Sequence, residues 1–197
     1  MLVTEPASGV VVEPAEPGRW DDVLRLISGP SQQCTCQYWR MSSGDYGRST
    51  LDQRVEALRR QIEDQPAPGM VAYVDGQAVG WCGFGVRSGL ERLVRSRTIP
   101  AIDDRPVWSI ICFQVRPGHR RRGVTHALLQ AVIEYAKVMD APALEAYPVD
   151  PGGKRLNTTD LYVGTVSLFE KAGFRRVVET DARSARLPRW LMRLELS

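Results

Sequence analysis

The sequence predicts a single domain of the α+β or α/β class, with a mixed, mostly antiparallel sheet of about six to seven strands and about four helices. We expect the element order βααβββαβαββ. The length of 197 residues suits one domain with a sizeable core. The second observation is a strand, loop and helix pattern across residues 107–139. The third is the pair Asp75-Gly76 between two apolar runs, which is a strong β-hairpin signal.

The central unit begins with residues 107–115, a run rich in Val, Ile and Phe that predicts a buried strand. Residues 116–123 follow as a turn rich in cations. The apolar residues after this turn recur at steps of three and four, which predicts an amphipathic helix. They are Leu128, Ala131, Val132, Tyr135, Ala136 and Met139.

The N-terminal third predicts one strand and two helices. Residues 10–13 are β-branched and short, and residues 19–27 carry apolar side chains at helical spacing. Residues 31–46 follow no single period. Ser49 or Thr50 is a plausible N-cap for the second helix, because both hydroxyls can accept a hydrogen bond from a free helical N–H.

The remaining segments follow the same logic. Residues 87–106 predict a long arginine-rich loop, with a helical turn near residues 90–94. The later predicted elements are a strand at 143–149, a helix at 164–171, and strands at 174–179 and 190–196. The last strand alternates polar and apolar residues, which fits a half-buried position and allows pairing in a homodimer.

Composition excludes several classes of protein. The net charge of +3 is too mild to indicate nucleic-acid binding. No apolar run approaches the ~18 residues that span a bilayer. The first 18 residues lack the pattern of a secretory signal, so we expect a cytoplasmic protein without membrane attachment. Four cysteines at this length do not indicate a disulfide framework.

The turn after the central strand has the features of a phosphate site. Free N–H groups at a helix start, the positive end of the helix dipole and three consecutive arginines, Arg120, Arg121 and Arg122, all favour a bound phosphate. Gly123 lacks a Cβ, so an anion can approach its backbone. A solvated basic turn is the alternative interpretation. Neither GxGxxG nor GxxxxGK[ST] occurs in the chain.

These residues resemble the acyl-CoA pyrophosphate loop of the GNAT N-acetyltransferase superfamily. The matching run is Val115-x4-Arg120-x-x-Gly123-x-Thr125-x2-Leu128-Leu129, and Thr125 replaces the usual Gly or Ala. Residues 167–174 resemble the late helix of the superfamily, which ends in Gly-Phe. The resemblance implies one domain over residues 1–197 with an acyl-CoA-binding core at 70–180. It also implies acetyl-CoA as co-substrate and an amine of a small molecule or peptide as acceptor.

The resemblance also implies a set of residues that contact the cofactor. In this fold the central strand and the next one diverge, and the pantetheine arm lies in the gap. A backbone N–H of the central strand would stabilise the oxyanion. The expected cofactor-binding residues are Phe113, Gln114, Val115, Arg120, Arg121, Arg122, Gly123, Val124, Thr125, His126, Tyr162 and Phe169. Phe169 stands where the superfamily commonly has a tyrosine that protonates the CoA thiolate, and phenylalanine cannot donate a proton.

Two residues are candidate catalytic groups. Glu145 lies in an apolar strand beside the expected gap, and burial would raise its pKa toward the range of a general base. Its alternative role is a carboxylate paired with an arginine. Tyr147 is a candidate general acid. Its alternative role is structural, with a buried ring and a hydroxyl that makes one hydrogen bond.

The segment between the first two helices lines the acceptor pocket in this superfamily, so Cys36, Tyr38 and Trp39 are expected substrate-binding residues. A zinc site or a cysteine nucleophile there is disfavoured, because suitable partners are few. The arginines of residues 87–106 suggest an anionic acceptor or partner. A non-catalytic acyl-CoA sensor on the same fold remains the alternative to an enzyme.

Overall fold

The computed structural model describes residues 9–28, 34–154, 157, 161–184 and 186–196. It contains seven strands in one sheet. Their bounds are β1 Val10–Pro14, β2 Gly69–Val74, β3 Gln77–Val86, β4 Trp108–Val115, β5 Ala143–Ala146, β6 Arg175–Ser184 and β7 Leu187–Glu195. Parts of the predicted loop at 150–160 and of the irregular segment at 31–46 lie outside the described residues, as do the first eight residues of the segment considered for a signal.

Six α-helices accompany the sheet in the described part of the chain. Their bounds are α1 Trp20–Ile27, α2 Ser43–Arg48, α3 Leu51–Glu63, α4 Glu91–Val94, α5 Val124–Val138 and α6 Val166–Lys171. The N-cap of α3 is Thr50. Its hydroxyl accepts from the Gln53 N–H at 3.2 Å while the Gln53 side chain accepts from the Thr50 N–H, so two free donors are satisfied. None of the described helices has both the length and the apolar character needed to cross a membrane.

The sheet has the order β1-β2-β3-β4-β5-β7-β6. Only the β4–β5 pair is parallel, and every other pair is antiparallel. The Asp75-Gly76 turn joins β2 to β3, as the sequence predicts, and both residues have positive φ. The predicted mixed, mostly antiparallel fold with six to seven strands is confirmed.

Apolar side chains cover both faces of the sheet. On one face α5 packs Leu128, Val132 and Ala136 against β1 to β4, because its apolar residues recur at helical spacing. On the other face α1 and α3 bury a second cluster that includes Leu26 and Leu58. The central strand β4 is therefore shielded on both sides, which explains its apolar run.

The parallel pair β4–β5 is short, and this shortness creates the site. The pairing of the two strands ends where Ile110 lies opposite Ala146, although β4 itself continues to Val115. Pro148 follows β5 and lacks an N–H, so it cannot extend the ladder. On the β5 side, the second half of β4 consequently has no neighbouring strand, and we call this side its free edge. Helix α5 begins nine residues after the end of β4.

Several predicted elements differ from the observed ones. The prediction of about four helices omitted the short α2 and gave α4 only as a helical turn. The last strand begins three residues earlier than predicted, and it pairs with β5 on one side and β6 on the other. Because β7 is internal, it cannot form the dimer pairing that its alternation suggested. In the described sheet the edge strands are β1 and β6.

Candidate functional site

The loop between β4 and α5 brings the predicted phosphate-binding residues to the start of a long helix. Gly123 is the N-cap of α5 and adopts the left-handed conformation with φ of 80°. Its side-chain position is open, with no atom within 4 Å of an added Cβ. Arg121 also has positive φ, at 60°. This backbone leaves the first N–H groups of α5 free to point at an anion.

A small cavity of about 250 Å³ lies at this helix start. Arg120, Arg121 and Arg122 are exposed beside it, and the Arg120 Nε donates to the Val115 carbonyl at 3.1 Å. That hydrogen bond folds Arg120 back toward β4. The cavity is lined by Val115, His119, Arg120, Arg121, Gly123, Val124, Thr125, His126 and Leu168.

A second cavity of about 630 Å³ continues from the first along the free edge of β4. The two cavities share Val115, Arg120 and Thr125, so they adjoin. No aspartate or glutamate is among the described residues of its lining. The lining consists of Ile27, Cys34, Thr35, Cys36, Tyr38, Trp81, Cys112, Phe113, Gln114, Val115, Arg120, Thr125, Leu161 and Tyr162.

Hydrogen bonds position the β4 residues of this larger cavity. The Gln114 Nε2 donates to the Leu26 carbonyl at 2.7 Å, which ties β4 to the end of α1. The Phe113 N–H, which points into the gap beside β5, donates to the Tyr162 carbonyl at 2.6 Å. Because N–H groups alternate along a strand and the Arg116 N–H pairs with Val79 on β3, the Val115 N–H points to the same free edge as that of Phe113.

The turn at residues 34–36 forms the opposite wall of the larger cavity. Thr35 and Cys36 both have positive φ, at 47° and 58°, an uncommon conformation for residues with a side chain. The Cys36 sulfur accepts a hydrogen bond from the Trp81 Nε1 at 3.4 Å. Its hydrogen bond with the Cys112 thiol, together with the charge of Arg40, lowers the pKa of Cys36 despite its burial.

The close packing of the 34–36 turn against β3 leaves no room for a side chain at Gly83. An added Cβ at Gly83 would lie 2.4 Å from the Cys36 sulfur, so we expect Gly83→Ala to lower the free energy of unfolding by about 1–3 kcal/mol. Urea denaturation of Gly83→Ala, Cys36→Ala and the double variant measures this. The double variant should recover part of the loss, because its sulfur is absent. Gly85→Ala is the control, since its added Cβ meets Arg40 at 3.4 Å and Leu90 at 3.9 Å, which are ordinary contact distances. Equal losses at the two glycines without recovery would contradict the assignment.

Glu145 and Tyr147 do not line either cavity. Glu145 is 1% exposed, and its carboxylate accepts from Arg193 Nη2 at 2.6 Å and from the Tyr147 hydroxyl at 2.8 Å. The Arg87 Nε lies 3.5 Å from the same carboxylate. The Tyr147 hydroxyl also lies 2.8 Å from the Ser109 hydroxyl. Burial and the neighbouring charge of Glu145 raise the pKa of Tyr147. This geometry favours the ion-pair alternative for Glu145.

Three further predicted residues lie outside both cavity linings. Phe169 is fully buried and packs against Phe113 and Phe174, with ring centroids 6.1 and 5.1 Å away. Arg122 is exposed beside the small cavity. Trp39 lies behind the larger cavity, where its ring meets the edge of Tyr38 at 5.1 Å. The structure brings the other predicted cofactor residues, with Cys36 and Tyr38, to the two adjoining cavities.

Several lining residues were not predicted. Leu168 follows the α6 start and lines the small cavity, while Ile27, Trp81, Leu161 and Cys112 line the larger one. Ile27 and Trp81 belong to apolar runs that also form the core, so no local signal separates them from core residues. Among the described residues, no group of three or more His, Cys, Asp or Glu side chains could hold a metal ion.

Comparisons with known proteins agree with this geometry. A family model described as the acetyltransferase (GNAT) family matches residues 34–174. A sequence comparison with curated proteins finds no match. Solved structures with a similar fold include an N-acetyltransferase from Staphylococcus aureus Mu50, with 16% identity, a TM-score of 0.57, and coverage of 96% of this chain and 100% of that one.

Two other similar structures are yncA from Salmonella typhimurium, solved with its cofactor acetyl-CoA, and a ribosomal-protein-alanine N-acetyltransferase from Brucella melitensis. The first has 15% identity and a TM-score of 0.58, and covers 96% of this chain and 95% of its own. The second has 18% identity and a TM-score of 0.57, and covers 94% and 99%. The TM-scores and coverages establish a shared fold, and the family match extends over most of the chain. The chain therefore belongs to the acetyltransferase (GNAT) family, as its phosphate loop and late helix suggested, and is an N-acetyltransferase with acetyl-CoA as its co-substrate.

Proposed function

We propose that the protein transfers the acetyl group of acetyl-CoA to an amine that enters the larger cavity and attacks the thioester directly. The observation that carries this proposal is the pair of adjoining cavities, one at the α5 start and one along the free edge of β4. The small cavity suits the diphosphate, and the larger one has room for the pantetheine arm and an acceptor.

The residues of the small cavity would hold the phosphate groups. Free N–H groups of α5 and the conformation of Gly123 suit a bound diphosphate. The side chains of Arg120, Arg121 and Arg122 supply positive charge beside it. Acetyl-CoA supplies the activated acetyl group in the form of a thioester.

The backbone edge of β4 would stabilise the negative charge that develops on the thioester oxygen. The sequence places this role within residues 113–115. Val115 is our choice of donor, because its N–H points to the free edge while that of Phe113 is occupied by the Tyr162 carbonyl. Preorganised donors of this kind often contribute the largest share of catalysis.

Tyr162 is the proton donor that we propose for the departing thiolate. It lines the larger cavity, whereas Tyr147 does not. Burial raises the pKa of Tyr162, so its hydroxyl stays protonated at neutral pH. This choice supplies the proton that Phe169 cannot.

We propose that the acceptor amine loses its proton to water. The described lining of the larger cavity contains no carboxylate, and Glu145 is engaged by Arg193 and Tyr147. Proximity of the two substrates would then provide much of the rate enhancement.

Thiol release from acetyl-CoA with a panel of amines tests the function. We expect Tyr162→Phe to lower kcat by about 100-fold with an unchanged Kd for acetyl-CoA, because it removes the proton donor and keeps the ring and the backbone contact with Phe113. Tyr73→Phe is the matched control, since its hydroxyl binds Asp22 away from both cavities. The rising limb of the pH profile should move with the pKa of the acceptor amine.

Two outcomes would contradict these assignments. A rising limb that is the same for amines of different pKa would indicate a base on the protein. Binding of acetyl-CoA without thiol release for any amine would favour the alternative, a non-catalytic acyl-CoA sensor.

A further inference from the structure

Arg189 on β7 is a buried cation that has no acidic partner among the residues that the structure describes. It is 4% exposed, and its Nε donates to the Tyr147 carbonyl at 2.7 Å. Its Nη2 is buried and has no hydrogen-bond partner among the described residues. Arg193, four residues later, instead binds Asp103 and Glu145. A buried charge is normally paired, so the missing acid requires an explanation.

A second unpaired donor lies beside Arg189. The Arg189 guanidinium lies over the Trp39 ring, 5.3 Å from its centroid. The Trp39 Nε1 is also buried without a hydrogen-bond partner in the described part of the chain. Leaving a buried donor without a hydrogen-bond partner is unfavourable even in a neutral group. Two such donors in adjacent side chains, one of them cationic, suit a single ligand with two acceptor oxygens.

This pair of donors lies next to two tyrosines that line the larger cavity. Tyr38 and Tyr162 line that cavity, and both lie close enough to Arg189 to interact with it electrostatically. The backbone of Arg189 forms an antiparallel β-bridge with Val149. Val149 lies beyond the end of β5, where β4 and β5 no longer pair. Arg189 therefore lies beside the part of the chain where the two strands have separated.

The surrounding charge favours an anion. The Arg92 guanidinium lies over the Tyr38 ring at 4.1 Å, and its backbone N–H donates to the Trp39 carbonyl at 3.2 Å. Arg87, Arg95 and Arg105 of the 87–106 loop instead pair with Glu145, Glu91 and Glu195. Within that loop, Arg92 therefore supplies the positive charge beside Tyr38, while these three arginines are paired with carboxylates.

We propose that the acceptor is a small amine of the amino-acid type, whose carboxylate binds Arg189 Nη2 and Trp39 Nε1. This inference rests on the proposed acetyl transfer. Neither donor lines the cavity, so the carboxylate reaches them by displacing the Tyr38 ring, which packs against Trp39, while Tyr162 stays in place. A carboxylate fits better than a phosphate, because a second negative charge would lack donors in this aromatic setting.

Matched acceptor pairs test the proposal on the wild-type protein. Each pair is an amino acid and its decarboxylated amine, such as leucine with 3-methylbutylamine and tryptophan with tryptamine. We expect kcat/KM from thiol release to favour the amino acid by at least about tenfold, as a charged hydrogen bond in a buried setting would give. Equal or better turnover of the decarboxylated amines would overturn the proposal.

Variants assign the preference to the two donors. The ratio of kcat/KM for the amino acid to kcat/KM for its decarboxylated amine should fall by about tenfold or more in Arg189→Met. The Kd for acetyl-CoA should stay within about twofold of the wild-type value. Trp39→Phe keeps a ring but removes the N–H, and should reduce the ratio by about threefold to fivefold. Arg97→Met is the control, because Arg97 is exposed in the loop. A ratio that Arg189→Met leaves unchanged would contradict the proposal. If that variant fails to fold, the wild-type ratio and Trp39→Phe decide.

A binding measurement separates this inference from the proposed function. Calorimetry in the presence of CoA compares N-acetyl-leucine with N-acetyl-3-methylbutylamine. Carboxylate-dependent binding that Trp39→Phe weakens would support the carboxylate site even if no amine releases thiol, in which case only the transfer proposal fails. Thiol release without any carboxylate preference in binding or turnover would leave the transferase and overturn the carboxylate site.

Discussion

Gly123→Asp is expected to weaken acetyl-CoA binding by about 100-fold, or ~2.7 kcal/mol. Gly123 caps α5 and lines the small cavity, and the new side chain would enter open space there. Its carboxylate would occupy the positive end of the helix and repel the diphosphate. The positive φ of Gly123 adds a backbone cost, because residues with a Cβ disfavour that conformation. Calorimetric titration with acetyl-CoA and with CoA measures the change.

Two variants separate charge from backbone strain. Gly123→Asn has a similar shape without the charge, and asparagine tolerates positive φ, so it should lose less than about tenfold in affinity. Gly76→Asp introduces the same substitution at the β2–β3 turn, where φ is 73° and no atom lies within 4 Å of an added Cβ. It should leave the Kd unchanged. An Asn variant as weak as the Asp variant would show that backbone conformation, rather than repulsion, controls binding.

Glu145→Gln is expected to lower the free energy of unfolding by about 3 kcal/mol. Its carboxylate compensates Arg193 and Arg87 in the interior, and removing one partner of a buried ion pair leaves uncompensated charge. Asp103 still pairs with Arg193 on its other side, which limits the loss. Chemical denaturation with urea measures the effect.

The same variant distinguishes a structural role from a catalytic one. At a temperature where Glu145→Gln is folded, we expect kcat to stay within about tenfold of the wild type, whereas loss of a general base typically costs 10²–10⁴-fold. Glu56→Gln is the control, because Glu56 pairs with Arg60 on the exposed face of α3 and should matter by less than about 1 kcal/mol. A variant of unchanged stability with a large loss of kcat would restore Glu145 as the base.

Most of the fold was predictable because its elements carry local signals. The Asp75-Gly76 turn, the Thr50 cap and the 3.6-residue spacing in α5 each depend on a few neighbouring residues. The short α2 has no buried residue and thus no apolar period, which explains why it was missed. The position of β7 inside the sheet was also missed, because strand order depends on which distant segments pair.

The basic loop at residues 116–123 was predictable for the same reason. Residues 115–128 form a continuous strand, turn and helix, so their spacing alone places the cations and Gly123 at a helix start. The walls of the larger cavity depend instead on contacts between segments that are distant in the sequence. Trp39 meets Arg189, Trp81 meets Cys36, and the Phe113 N–H meets the Tyr162 carbonyl. No local pattern reports such contacts.

Glu145 illustrates the boundary between the two kinds of information. The sequence by itself determined that a carboxylate lies in an apolar strand, and that a central strand, a basic loop and a long helix follow one another. Only the tertiary structure decided that Arg193, 48 residues away, neutralises Glu145, and that Arg189 pairs with no acid in the described part of the chain. Periodicity and turn chemistry act between neighbours, whereas the pairing of buried charges depends on which strands the sheet brings together.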